Sequence, residues 1–524
     1  MTGTSPDARA SSVPGDRRPI TAWGAFLGSQ AAIGGNLFVA LGLVLVSAQG
    51  AGALAFALSG LVFLLVGLSY VELASTFPVA GGGYYFVMRG LGDLAGFVAG
   101  AALILDLTIG IALFSAMGAS YANTFAPALL GAEASLLSGD IPTLGRFEWF
   151  WFAESLALAT LLIVINVRGM RERTGLTTAV GAVALVGLTA VVAAGFLRSW
   201  DPAALLAALE QQRPTGRSFV YGVSLSIISF VGLQAFALTA AECLRPGRVL
   251  PRPAIALILT TLLFAVSLPC LALGALAPSA FGDGQSPLAV LAERIAPSNG
   301  VFPGVIAALG CAVLLVSANS FVASLSRLFF SMGQYDGLGE WSRRVHAKTL
   351  TPLVGLAAFG LLIAIELAVA FLWPDAMPLD VLANMYAFGA ALAYSLVVLS
   401  MIRLRFSDPH LPRPYRMPLN LPISAGGRRV HFPLLAVIGL LGAVALLVMV
   451  LATHEIGRIA GPGWIIICLC YYFVHRRRRR LSVLGSVPRD WVGEQMRVLA
   501  SAGEKDLADS YSRAISPGGS GVRT

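Results

Sequence analysis

Apolar segments of about twenty residues, the length that carries a helix across a hydrocarbon core of about 30 Å, recur from residue 23 to residue 475 of this 524-residue chain. Nothing constrains its fold more. In lipid each backbone N–H and C=O must be satisfied within the structure itself, so such segments become helices, and the strand-length alternation of a barrel is absent. The composition agrees: 57% of residues are hydrophobic, 12% are charged and the mean hydropathy is +0.79. The expectation is an all-α polytopic membrane protein with twelve transmembrane helices.

The placement of basic residues orients the chain. With twelve spans, the segments on the side of both termini hold about 30 of the 36 lysines and arginines, leaving about six on the other side. Both termini are therefore expected in the cytoplasm, in the cytoplasmic membrane of a bacterium. The net charge of +9 then reflects topology and anionic lipid, and no nucleic-acid partner is implied. No Ser-His, Cys-His or metal-ligating cluster falls at membrane depth, so the chain reads as no enzyme, with no metal site and no cofactor. The domains expected are a disordered N-terminus (1–20), a membrane domain (21–475) and a basic C-terminal tail (476–524). The tail opens with Arg476 to Arg480, read as an anchor against anionic lipid, and Trp491 to Leu507 forms a short amphipathic helix.

Two apolar spans carry glycine and polar residues at mid-length: "AAIGGNLF" (31–38) and "ISFVGLQAF" (228–236) in the sixth. Five spans apart, they run in opposite senses. A matched pair of Gly-interrupted spans points to a secondary transporter with inverted repeats, here about 21–198 and 217–404, and extra helices at 431–475. An unwound helix frees N–H groups on one side and carbonyls on the other, an arrangement that binds a zwitterion. The plainer reading of each span is close packing through small residues.

The stretch "YVELASTFPVAGGGYYFV" (70–87), with Tyr70, Glu72, Leu73, Pro78, Ala80, Gly81, Gly82 and Tyr84, resembles the signature of amino acid permeases of the amino acid–polyamine–organocation superfamily. Residues 232–251, 326–352 and 410–418 are similar to later motifs of that family, in order. The resemblance implies a five-plus-five inverted repeat with discontinuous first and sixth helices, alternating access and a central site. By that resemblance the substrate carboxylate falls to the N–H groups of Gly34 and Gly35. The ammonium falls to carbonyls of Ala32, Ile33, Ile228 and Val231, and the rest of the pocket to Asn36, Asp106, Phe230, Gly232, Leu233 and Gln234. Asn36 has a second reading as a helix cap.

Departures bear on coupling. Gln234 replaces an acidic residue common in relatives and cannot exchange a proton, and the fifth span lacks the lysine that stands in for sodium in many members. Candidates for coupling or gating are Asp106, as proton carrier or counter-charge to an amine, Asn36, Ser317 and Ser320 as oxygen donors for Na+, and Glu72 and Glu242 as partners of inner-loop arginines. Glu366 reads as a helix contact. The leading function is a secondary active transporter of an amino acid or related small amine, with Na+ or H+ as coupling ion and membrane lipid around it. The alternatives are an inorganic cation transporter on the same fold and a membrane amino acid sensor.

Overall fold

A computed structural model describes residues 21–123, 149–167, 174–282, 286–297, 301–343, 352–374, 376–425 and 428–515. The expected N-terminal segment and part of the 326–352 motif lie outside them. Among the described residues eleven stretches are long and apolar enough to cross a membrane. The first, of 55 residues, is two helices, α1 (Ala22–Ala48) and α2 (Gly52–Thr76), joined by a 3-10 turn over Gln49–Ala51. After the short α3 (Gly82–Leu91) follow α4 (Asp93–Asn123), α5 (Trp149–Val167) and α6 (Thr174–Arg198). Beyond α7 (Pro202–Gln211), the sixth span is built from α8 (Gly216–Leu225), a 3-10 segment Ser226–Phe230 and α9 (Leu233–Thr239). Then come α10 (Pro246–Val249), α11 (Pro251–Ala275), α12 (Pro287–Ile295), α13 (Val301–Gln334), α14 (Leu353–Leu372) and α15 (Pro378–Ser407). A hairpin of β1 (Asn420–Ala425) and β2 (Arg428–Pro433) leads to α16 (Leu434–Thr453) and α17 (Gly457–Arg478), and α18 (Trp491–Ser501) and α19 (Lys505–Ile515) close the chain. The short helices α3, α7, α10 and α12 and the hairpin have no counterpart in the sequence reading, because none carries a membrane-length apolar run.

Helices five spans apart touch: α2 packs on α11, α4 on α13 and α5 on α14. That pairing is what two inverted repeats about a common axis produce. The sixth span and α4 are the most enclosed, whereas α16 and α17 have much of their surface turned outward.

One expectation is corrected. The first span is not discontinuous: α1 runs unbroken through Gly34, Gly35 and Asn36. Glycine lowers helix propensity by about 1 kcal/mol, but an unmade backbone hydrogen bond in lipid costs more. A helix therefore comes apart only where other groups replace its ladder. At Gly34 and Gly35 the small residues serve packing instead. A Cβ on Gly35 would stand 3.0 Å from Ser317 Cβ and closer still to its hydroxyl, so glycine here lets α13 approach.

The C-terminal tail is also more structured than expected. Two helices replace one, and they lie against the end of the bundle where α2 finishes and α4 begins. Asp93 is ion-paired to Arg476 at 2.8 Å and to Arg489 at 2.5 Å. Gln495 Nε2 donates to Thr76 O at 2.8 Å, and the Arg245 N–H to Ala502 O at 2.9 Å. Arg476, the first of the arginine run, is thus buried in protein, and Arg479 pairs with Glu340 at 2.8 Å. Two of the five arginines are thus held by protein, and Arg477, Arg478 and Arg480 are exposed.

Candidate functional site

The sixth span breaks where the sequence offers competing bonds. Ser226 Oγ donates to the carbonyls of Val223 and Ala55 and lies 2.6 Å from Ser59 Oγ, which tightens the chain into 3-10 geometry against α2. Val231 is then extended, with φ −74° and ψ 146°. Gly232 follows at φ 123°, a conformation open to glycine, and a Cβ there would also stand 2.6 Å from Ile33 Cγ1.

Side chains of α1 and α15 take up the groups this break releases. Asn36 Nδ2 donates to Val231 O at 2.7 Å, and Tyr386 OH donates to Asn36 Oδ1 at 3.3 Å. Tyr394 OH donates to Phe230 O at 3.1 Å. Asn36 therefore caps a break, but the one in the facing span. Phe230 stacks on Phe63 with centroids 4.8 Å apart, and the buried Ile33 and Ile228 add apolar surface beside them.

Asp106 of α4 is buried with Oδ1 lacking a partner among the described residues. It is within electrostatic reach of the hydroxyls of Tyr70, Tyr386 and Tyr394. Gln234 Oε1 accepts from the Gly83 N–H at 2.9 Å, while its Nε2 and the Tyr70 hydroxyl are buried without partners among the described residues. A Cβ on Gly83 would lie 2.9 Å from Gln234 Oε1 and 3.2 Å from Tyr70 OH, so both groups stand beside this glycine of the signature motif. Asp106 Oδ1, an acceptor, Gln234 Nε2, a donor, and the hydroxyls of Tyr70 and Ser229 are thus unsatisfied around a broken helix among the described residues.

The structure brings together most of the residues singled out in the sequence, but not in all the expected roles. The N–H groups of Gly34 and Gly35 and the carbonyls of Ala32 and Ile33 belong to the continuous α1, and the Ile228 carbonyl accepts from the Val231 N–H at 3.1 Å. Ser317 Oγ donates to Ala31 O at 2.7 Å and to Val313 O at 2.8 Å, which sets α13 beside α1, and Ser320 lies one turn further along α13. Glu72 and Glu242 lie outside the site, paired with Arg405 at 2.7 Å and Arg327 at 2.5 Å. Glu366 accepts from Thr108 Oγ1 at 2.8 Å, a contact of α14 with α4. Tyr386, Tyr394 and Phe63 were missed. The signal available was "YAFGAALAY" (386–394), which puts two tyrosines in the middle of an apolar span, where a hydroxyl needs a partner.

A bundle of membrane-length helices with a span broken at mid-depth, and buried polar atoms left open around the break, is the architecture of a membrane transporter rather than an enzyme. The sequence profile described as "Amino acid permease" matches residues 22–474. The chain belongs to the amino acid permease family. It is similar to the branched-chain amino acid permease BcaP of Bacillus subtilis (strain 168), 27% identical over 462 residues that span 86% of this chain and 91% of that protein. It is also similar to cationic amino acid transporter 4 of Homo sapiens, 30% identical over 398 residues, 74% of this chain and 60% of that one. A third relative is BcaP of Lactococcus lactis subsp. cremoris, 23% identical over 471 residues, 87% of this chain and 93% of that protein. The protein is a multi-pass membrane transporter of amino acids or related small molecules.

Proposed function

We propose that this permease carries a neutral, aliphatic amino acid across the cytoplasmic membrane of a bacterium by alternating access, with twelve crossings, both termini cytoplasmic and lipid as its surroundings. The substrate ammonium meets Asp106 Oδ1, the carboxylate meets Gln234 Nε2, and the side chain lies against Ile33, Phe63, Ile228 and Phe230. The observation that carries this reading is Asp106, a carboxyl buried without a hydrogen-bond partner at Oδ1. An ionised carboxylate in such a place is costly unless a positive charge joins it. The apolar lining and the similarity to branched-chain permeases favour a neutral side chain.

The same carboxyl favours a second reading, a cationic amino acid or amine, and cationic transporters stand among the relatives. The coupling ion is proposed to be a proton that occupies Asp106 when substrate does not. Na+ at Asn36, Ser317 and Ser320 is less well supported, since Asn36 Oδ1 already accepts from the Tyr386 hydroxyl. Uptake of labelled leucine and arginine into proteoliposomes, under imposed pH or sodium gradients, tests these statements. Leucine uptake driven by a pH gradient and lost in Asp106→Asn is expected. Flux of potassium without any amino acid uptake would overturn the assignment.

A further inference from the structure

The end of the bundle where α2 and α15 finish holds more arginine than its carboxylates neutralise. Glu72 is buried; its Oε2 accepts from Arg405 Nη2 at 2.7 Å and from the Met417 N–H at 2.8 Å, and its Oε1 lies 3.5 Å from Arg413 Nε. Asp408 is taken by Arg89 at 3.0 Å and by the Tyr511 hydroxyl. Four guanidinium groups, those of Arg89, Arg405, Arg413 and Arg416, thus face two carboxylates: Arg405 and Arg413 share Glu72, Arg89 holds Asp408, and the surplus is at Arg416. Arg413 spends Nη1 and Nη2 on the carbonyls of Leu404, Asp408, Pro409 and Leu411. Burial pushes its pKa down to about 10, with Glu72 opposing and Arg405 adding to the fall. Arg405 is itself 3% exposed, and its Nε is buried with no hydrogen-bond partner.

Beside these groups is a small, open cleft of about 30 Å³ lined by Arg405, Pro409, Arg413, Arg416, Val430 and His431. Arg416 and His431 are exposed at its mouth, and Arg416 has no ion pair among the described residues. We propose that this cleft binds a phosphate group, held by Arg416 and His431 at the rim with the buried Arg405 charge behind them. Phosphate supplies the missing negative charge and several acceptor oxygens, which suit guanidinium donors. The cleft lies between the last turn of α15 and the hairpin that precedes α16, where two membrane-length helices end. That is headgroup level, so an anionic phospholipid is the favoured source and a free phosphate the other.

The test uses the full-length protein in a neutral detergent and follows thermal unfolding at constant ionic strength. The probes are phosphatidylglycerol, phosphatidylcholine and inorganic phosphate, against wild type and Arg416→Gln/His431→Gln, a variant that changes only exposed side chains. Phosphatidylglycerol is expected to raise the midpoint and phosphatidylcholine to leave it unchanged. At ten times Kd the unfolding constant falls about tenfold, and the variant loses that response. A rise with inorganic phosphate alone, lost in the variant, also supports the site and assigns it to a soluble ligand. A rise that persists undiminished in the variant is the general effect of an excluded salt or of lipid on the bundle, and it overturns the proposal, as does no response to either probe.

Discussion

Replacing Asn36 with leucine, a side chain of similar size, removes the donor to Val231 O and the acceptor of the Tyr386 hydroxyl in one step. Both stranded groups are fully buried. Each buried polar group left without a partner costs about 1–3 kcal/mol, so the pair predicts a loss of about 2–6 kcal/mol in the stability of the folded bundle, with the larger share at Val231 O, whose bond is the shorter at 2.7 Å. Unfolding of the purified protein in mixed micelles, followed by tryptophan fluorescence, measures the loss. Tyr386→Phe supplies the control, because it removes one donor and strands only Asn36 Oδ1. The double variant should fall short of the sum by about 0.5–3 kcal/mol, as coupled neighbours do. Leucine at 36 with unchanged stability and unchanged transport would mean that the broken span does not depend on α1, and the account of the break would fail.

Gly34→Ala and Gly35→Ala should separate cleanly, since a Cβ at 34 meets only Val313 Cγ1 at 3.9 Å whereas one at 35 stands 3.0 Å from Ser317 Cβ and closer to its hydroxyl. Transport assays should show the first near wild type and the second impaired, and equal behaviour would contradict the packing of α1 on α13. Glu72→Gln leaves Arg405 buried beside an uncharged partner and should cost about 3–5 kcal/mol in unfolding measurements, with Glu72→Gln/Arg405→Gln recovering part of it. His454, between α16 and α17, accepts or donates at Ser224 Oγ over 2.8 Å and is held by burial from an ordinary 6.5 down to about 4. The unfolded chain takes up this proton first, so stability should fall by about 3 kcal/mol as pH drops from about 6.5 to about 4; His454→Gln should lack that part of the slope, and an identical pH profile would refute it.

The membrane-helix architecture was legible because apolar length is a direct physical requirement of the bilayer, and the sixth-span break was legible because glycine and polar residues interrupt an apolar span around Gly232. The intact α1 was not. Glycine permits an interruption without demanding one, and what decides is whether side chains elsewhere in the chain can satisfy the released groups. Those side chains, Asn36 and Tyr394, lie 195 and 163 residues from Val231 in sequence, a relation that no local pattern encodes. Asp106 stood out because a carboxyl in the middle of an apolar span is costly by itself. Tyr386 and Tyr394 did not, because a tyrosine in a membrane helix is common, and only its hydroxyl partner reveals its task. The C-terminal helices were foreseen as one amphipathic stretch, since their anchors, Asp93 and Thr76, are more than 380 residues away.

The two halves of the sixth span are tied to different neighbours, and this bears on how such a protein could move. On one side of Gly232, α8 is held by Ser224 against His454 and by Tyr221, whose hydroxyl accepts from Asn384 Nδ2 at 2.9 Å. On the other side, α9 is held by Gln234 against Gly83, and the turn after it by Glu242 against Arg327 and by the Arg245 N–H on the C-terminal Ala502. Each set can be released without disturbing the other, with the left-handed Gly232 as the joint. The groups that close the joint are single hydrogen bonds from Asn36 and Tyr394. Exchanging such a bond for one to a ligand changes the free energy by only about 1 kcal/mol, whereas abandoning it in a dry interior costs several times that. A substrate that offers an acceptor and a donor of its own can therefore take the place of these side chains at little net cost, and until it does the break has a reason to stay closed.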